Sequence, residues 1–529
     1  MASIFNLNTN VSELSSSNEG TSRMMYEQHP PTRDVTGDNF PNGAIHTRFQ
    51  TSGQKWWVPS RSYMRMRAKL TKEDGATTLD VANDVAPNMG LMANLFQSGE
   101  FRIAGTSTSR VSDYMPQIDA LETRLSKSKS WLDSVGSVVN WWDAEAKERQ
   151  NQVVNNPQSV KVEVAAPRLE LGIDPATTFA IAVDTGVATQ ATGTLIDLST
   201  IFVAGDILEI TTPLGLVRYS VVNVPTPNTL QLDANKTLAV VAGVYPWSRI
   251  RKEANAGQSE RKLNTFEMIW QPPLSIFKIG HALPSGAYEL VLNPQTVSQY
   301  KKRAIESILG DKTPGALNSY DFEVVDMYLL VATVEGPRAD DLTYLLDLEE
   351  TRCQVDDISN GGSFQQKNFD VSPSTFALTA CFQDSRAGSL TQYSASKFKI
   401  DGDNSDELKL NRMFLNYAGQ NRPAPDADPE FKAGRDYTVQ RYAETQLYSG
   451  AYYDCGGAET IEEWHDRGAY YYFSWPRDGT DRSTRVNAHF GFEGSAVANG
   501  RVLLFDHSKK IARVEVRDGR VVSVQIEDA

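Results

Sequence analysis

Proton transfer, nucleophilic attack and metal binding need particular side chains brought close together, and in this 529-residue chain such groupings are sparse. The densest is Glu462-Glu463-Trp464-His465-Asp466-Arg467, followed by the aromatic run Tyr470-Tyr471-Tyr472-Phe473-Ser474-Trp475. Two carboxylates beside aromatic rings would suit a glycosidase or a sugar-binding surface. Read as a strand, however, the segment points Glu462 and Glu463 to opposite faces, so they cannot flank one bond as a pair. Aromatic packing within a sheet is the plainer reading. The six histidines (His29, His46, His281, His465, His489 and His507) stand at no metal-ligand spacing. A metal site needs several convergent ligands with support behind them, so each is read as a surface or interface residue. Cys353, Cys381 and Cys455 are odd in number, widely spaced and without a CxxC, which reads as reduced, half-buried thiols and no disulfide. There is no GxxxxGKS/T loop, no HExxH, no GxGxxG after a strand and no GxSxG elbow. The sequence thus points to no catalytic, cofactor-binding or metal residue, and to a protein that is not an enzyme.

The elements that would have to position any site are those of a large β protein. Hydrophobic residues make up 40% of the chain and charged residues 22%, a profile with material for more than one core. The 20 Tyr, 21 Phe and 9 Trp suit broad β-surfaces and interfaces. A net charge of −14 lacks the surplus of Lys and Arg that wrapping nucleic acid requires. Met1–Gly20 has neither a basic start nor an apolar core, so no signal peptide is expected, and no run approaches the roughly 20 apolar residues of a membrane helix.

Residues 1–44 are polar, with two basic residues against five acidic ones, and read as a flexible arm that orders on a neighbour and does not bind a genome. Order is expected from Ile45. Tyr63–Leu70 alternates, with Met64, Met66, Ala68 and Leu70 on one face and Arg65, Arg67 and Lys69 on the other, the pattern of a half-buried strand. Phe101–Ala104 gives another strand. Ile118, Leu121 and Leu125 predict a helix capped by Ser112-Asp113, and Trp131, Val135, Val138, Val139 and Trp142 a second helix. From about 166 to 247 charge thins and short Val- and Thr-rich segments alternate with turns, predicting a small β-barrel inserted in the first domain. Strands resume at Thr265–Trp270 and Tyr288–Leu292, then a helix with Val297, Tyr300, Ala304, Ile305 and Ile308 on one side, then a strand over Phe322–Val334. A second β-rich half from 341 to 529 holds Phe376–Phe382, Leu410–Tyr417, Tyr470–Trp475, Arg485–Phe492 and Arg501–Phe505. It closes on a hairpin turning at Asp518-Gly519.

Several stretches resemble one family. Trp56-Trp57-Val58-Pro59 before Arg65-Met66-Arg67, Leu95–Glu100 with Ile103-Ala104-Gly105 and Val111–Tyr114, Pro272-Pro273-Leu274 and Leu283–Gly286 are similar to its first half. Val371–Thr375, Tyr417-Ala418-Gly419-Gln420 with Pro423, Phe473–Gly479 and Gly519-Arg520-Val521 are similar to its second. The family is the double jelly-roll major capsid proteins of the tectivirus–adenovirus lineage, nearest to those of polinton-like viruses, adintoviruses and virophages. The resemblance implies two consecutive jelly-roll β-sandwiches with a few flanking helices, the first over 45–340 and the second over 341–529. It further implies pseudo-hexameric homotrimeric capsomers of an icosahedral virion, without cofactors. Expected partners are the chain itself, penton and minor capsid proteins, and an internal membrane or host receptor met by the insert as an outer tower. A carbohydrate-binding or carbohydrate-active β-sandwich, or a spike or other virion component, is the alternative.

Overall fold

The computed structural model describes residues 24–75, 77, 79, 83–136, 139–140, 149–150, 153, 178–182, 187–192, 198–202, 204, 207–212, 215–226, 229–232, 247–250, 265–308, 317–336, 338–358, 364–384, 410–422, 439, 442–447, 459–466, 470–475, 484–492 and 500–528. The first sandwich is built from β1 (Met25–His29), β2 (Ile45–Thr51), β3 (Tyr63–Lys72), β4 (Phe96–Ile103), β5 (Thr106–Val111), β6 (Thr265–Trp270), β7 (Gly286–Pro294) and β8 (Tyr320–Glu335). One sheet runs β1-β8-β3-β6, with Lys55–Trp57 also paired to β8, and the facing sheet runs β2-β7-β4-β5. All of these pairings are antiparallel. The alternation in β3 has the expected effect: Met64, Met66, Ala68 and Leu70 are fully buried. Arg65 and Arg67 on the other face pair with Glu267 of β6 and Asp326 of β8.

The second sandwich repeats this path. Its strands are β9 (Thr343–Asp357), β10 (Phe364–Asp370), β11 (Thr375–Asp384), β12 (Leu410–Tyr417), β13 (Gln420–Arg422), β14 (Tyr470–Ser474), β15 (Arg485–Phe492) and β16 (Gly500–Arg517). The sheets run β9-β16-β11-β14 and β10-β15-β12-β13, so each strand has the neighbours of the strand eight labels before it. The correspondence extends to a turn. β4 passes to β5 through Ala104-Gly105 and β12 to β13 through Ala418-Gly419, with positive φ at all four residues. Two left-handed residues in a two-residue loop match the twist of the strands they join, and glycine meets the second position without strain.

A last strand, β17 (Arg520–Asp528), folds back on β16 through Asp518-Gly519, both again at positive φ. β9, the end of β16 and β17 thereby make a three-stranded ribbon in which Tyr344, Leu346, Leu348, Ala512, Val514, Val516, Val521 and Val524 are buried. The ribbon lies against β5 and β7, where Val521 N donates to Ser285 O at 2.8 Å. Buried residues of both sandwiches belong to one continuous core.

Residues 157–263 form a separate compact unit. Its described strands pair antiparallel in the order Trp247–Ile250, Ile207–Thr212, Gly215–Thr226, Thr229–Leu232, Val187–Thr192 and Thr178–Ala182. The unit is β as expected, but its described pairings make an open path, and closure into a barrel is not among them.

Other expectations need correction. Order begins before Ile45, because Met25–His29 pairs with β8 from Thr333 to Leu329. This edge strand has no fully buried side chain, so its main-chain bonds hold it and its sequence carries little hydrophobic alternation. Helix α1 (Met115–Ser126) forms with Ile118 and Leu121 buried, yet neither Ser112 nor Asp113 caps it: Tyr114 takes the cap position at φ 57°. The second expected helix is a single turn at Lys129–Trp131 followed by a π-turn at Leu132–Gly136. Leu132 is buried there and Val135 is 44% exposed, while Val138 and Trp142 lie outside the described residues. Helix α2 (Val297–Ala304) buries Tyr300 and Ala304 but leaves Val297 exposed.

Candidate functional site

The segment most suggestive of chemistry is not a strand. Ile461–Asp466 is a helix, α3. Thr460 Oγ1 accepts from Glu463 N at 3.2 Å while Glu463 Oε2 accepts from Thr460 N at 2.9 Å, a reciprocal capping box whose T-x-x-E signature stands in the sequence. Glu463 also pairs with Lys129 at 2.9 Å. Trp464 is buried and its Nε1 donates to Tyr470 O at 3.2 Å. Tyr470, Tyr471, Phe473 and Trp475 are buried with it. The ring that would have stacked on a sugar is therefore part of the core. The side chains of Glu462 and His465, and all of Cys455, lie outside what is described.

Cys353 and Cys381 are free and fully within the core, where burial pushes both thiols well above their ordinary pKa. They sit on β9 and β11, on opposite sides of β16. His46 meets Glu289 at 2.9 Å, and His489 stacks on Phe414 with ring centroids 4.3 Å apart. His507 departs from the expected surface position. It is buried on β16 between Thr351 Oγ1, 3.2 Å from Nδ1, and Thr379 Oγ1, 2.9 Å from Nε2. Burial pushes its imidazole down to about 3. Among the described residues no group of three or more His, Cys, Asp or Glu could hold a metal ion, and no helix is long and apolar enough to cross a membrane.

What the structure does concentrate is a polar junction between the two sandwiches, organised by α1. Asp119 is buried and accepts from Trp270 Nε1 at 2.8 Å and Asn140 Nδ2 at 2.7 Å, which fixes the helix to β6. Burial raises its carboxyl to about 7, against the opposing pull of those two donors. One turn on, Glu122 pairs with Lys278 at 2.6 Å and accepts from Thr351 Oγ1 of β9 at 2.8 Å. Arg124 then reaches Glu459 at 3.1 Å, the two side chains 3% and 0% exposed, with its guanidinium over the Tyr470 ring at 5.9 Å. One short helix thus bonds the first sandwich on one side and two elements of the second on the other. The Thr351 hydroxyl has one proton, which goes to the Glu122 carboxylate. Its oxygen must then accept from His507 Nδ1, leaving Nε2 to accept from Thr379. The chain from Lys278 to Thr379 is satisfied with a neutral imidazole.

Beside α1 the sandwiches leave a cleft of about 850 Å³ lined by Lys127, Trp131, Lys278, Phe376, Tyr472 and His507 among others. Of these, the sequence draws attention to Tyr472 in the aromatic run, His507 among the histidines and Trp131 on an expected helix, but to none of them as part of a cleft. Helical periodicity announces α1, but no local pattern says that Asp119 and Arg124 on it are buried, because their partners are distant in the chain.

No protein-family model matches the chain, and no curated protein matches it. Among solved structures, a chain from the cryo-EM structure of the Sputnik virophage matches 96% of this chain and 88% of its own length, at 9% identity and a TM-score of 0.50. At that identity the likeness is one of fold, and it spans both sandwiches with the strand order described above. The chain has a double jelly-roll fold. Each half is a jelly roll of two four-strand paths, one of them extended by a fifth strand. The faustovirus major capsid protein aligns over 95% of this double jelly roll and 92% of its own length, with 10% identity and a TM-score of 0.45. The mavirus major capsid protein covers all 100% of this chain and 95% of its own, with 7% identity and a TM-score of 0.41.

Proposed function

We propose that this double jelly roll is the major capsid protein of an icosahedral virus, a tile that assembles as homotrimers with six jelly rolls forming a pseudo-hexameric capsomer. The observation that carries the reading is the junction. Two sandwiches of the same strand path are fixed to one another by buried polar contacts and a shared apolar core, as a wall element requires and a freely hinged pair of binding modules does not. The fold likeness to a chain of a virophage particle supports the same reading. So does the net charge of −14, which suits a shell built on protein contacts better than one wrapped directly on a genome. Its partners are then further copies of itself, with penton and minor capsid proteins at special positions. The unit at 157–263 serves as an outer tower that meets a host receptor, and an internal membrane is the inner contact. The work of the chain is structural and not catalytic, and its place is the virion. Light scattering on the purified chain tests this. Three times the 58.6 kDa chain mass is expected, and a monomer that persists at high concentration would contradict it.

A further inference from the structure

The charges around the cleft beside α1 can be accounted for in turn. Lys278 is paired with Glu122 at 2.6 Å. Glu349 and Glu350 are paired with Lys509 and Lys510 on β16. The Asp119 carboxylate is taken by Trp270 and Asn140. Lys127, the residue following α1, and Arg61 at the cleft's edge are left over. Among the described residues no carboxylate lies at ion-pair distance from Lys127, and its Nζ stands 5.1 Å from the centroid of the Trp131 ring. We propose that this cleft is a binding site for a carboxylate carried on an apolar body, met by the Lys127 ammonium against a wall of aromatic side chains.

Three physical points favour that ligand class. A carboxylate at Lys127 would offset the repulsion between Lys127 and the neighbouring Lys278, which a neutral ligand would leave in place and a cation would worsen. Burial, and then Lys278, hold the Lys127 ammonium below its ordinary pKa, with Asp119 pulling more weakly the other way, and an added anion would favour its charged form. Phe277, Phe376 and Tyr472 line the same cleft and would receive an alkyl or aryl body, and about 850 Å³ is within the range of small-ligand sites. The inference does not depend on capsomer formation.

Calorimetric titration of the full-length chain with decanoate and with 3-phenylpropionate, each beside its amide, tests the site and separates alkyl from aryl bodies. At least one acid should bind about tenfold or more tightly than its amide. That preference should weaken with added salt, vanish in Lys127→Gln and persist in Lys127→Arg. Equal binding of acid and amide, a preference that survives Lys127→Gln, or no saturable heat with any of the four compounds would overturn the proposal. If Lys127→Gln does not fold, the salt dependence on the unaltered chain decides: a salt-insensitive preference also overturns it. Failure to form trimers would count against the capsid reading alone.

Discussion

The two jelly rolls share a strand path and dress it differently. On the solvent side of the first, Arg48, Glu289 and Arg102 stand in register across β2, β7 and β4. Arg48 and His46 both reach Glu289, at 2.7 and 2.9 Å. At the corresponding positions of the second, Asn368, Asn487 and Asn416 stand in register across β10, β15 and β12, and Asn416 continues to Asn421 of β13. One face is a ladder of ion pairs and the other a ladder of amides. The interiors differ as well. Trp57 stacks on Phe101 at 4.8 Å and Phe49 on Tyr288 at 5.1 Å in the first, whereas in the second Phe382 meets Phe490 edge-on at 5.4 Å. What the halves keep in common is main-chain: ladder order and the paired left-handed residues at Ala104-Gly105 and Ala418-Gly419. The path is set by backbone bonding and turns, which leaves side chains free to specialise each half.

The largest expected effect comes from breaking the tie between the halves. Arg124→Met leaves Glu459 buried without its cation and should cost about 3–5 kcal/mol in denaturant unfolding. Arg124→Met with Glu459→Leu should recover much of that loss. If the single and double variants are equally unstable, the pair is not the tie.

Next in size is pH, where one buried group from each half acts in opposite directions. Asp119 has its folded pKa raised to about 7 from an ordinary 3.8, so its contribution is full below 3.8 and is lost as pH rises through 7. His507 is lowered from 6.5 to about 3, so its contribution is full above 6.5 and is lost as pH falls toward 3. Each is on the order of a few kcal/mol. Melting curves from pH 4 to 8 should show His507→Gln flattening the acid limb and Asp119→Asn the neutral limb, and unchanged limbs would remove these groups as the cause.

The turns sharpen the comparison. A Cβ at Gly105 or Gly419 meets no atom within 4 Å, so only the positive φ, 83° and 75°, penalises a side chain. Gly105→Ala and Gly419→Ala should therefore cost the same, about 1 kcal/mol each. Clearly unequal losses would mean the two hairpins are not equivalent. Smallest is the charged ladder: Arg48 is mostly exposed, and Arg48→Ala should change stability by less than about 1 kcal/mol, with the difference shrinking in high salt.

Much of this fold is legible in the sequence wherever one face of a strand is dry and the other wet. β3 reads directly from Met64, Met66, Ala68 and Leu70, and β15 from Val486, Ala488 and Phe490. The β16–β17 hairpin reads from Asp518-Gly519, since that dipeptide accepts the left-handed conformation found there. Illegible parts lack that contrast. β1 has no fully buried side chain to mark it. β9 carries Asp347 and Glu349 outward, and its apolar face gains meaning only when β17 and the first jelly roll close over it. α3 was open to recognition through Thr460 and Glu463, a signal outweighed by the aromatic run that follows it. The junction could not be read at all, because a buried Arg124 or Asp119 is defined by partners that only the folded chain brings near.

The central claim is that these paired jelly rolls are the repeating tile of a shell, and electron microscopy of purified, concentrated protein tests it most directly. Particles of threefold symmetry with a nearly hexagonal outline and six jelly-roll densities are predicted. Isolated two-lobed monomers that form no threefold particle would contradict it.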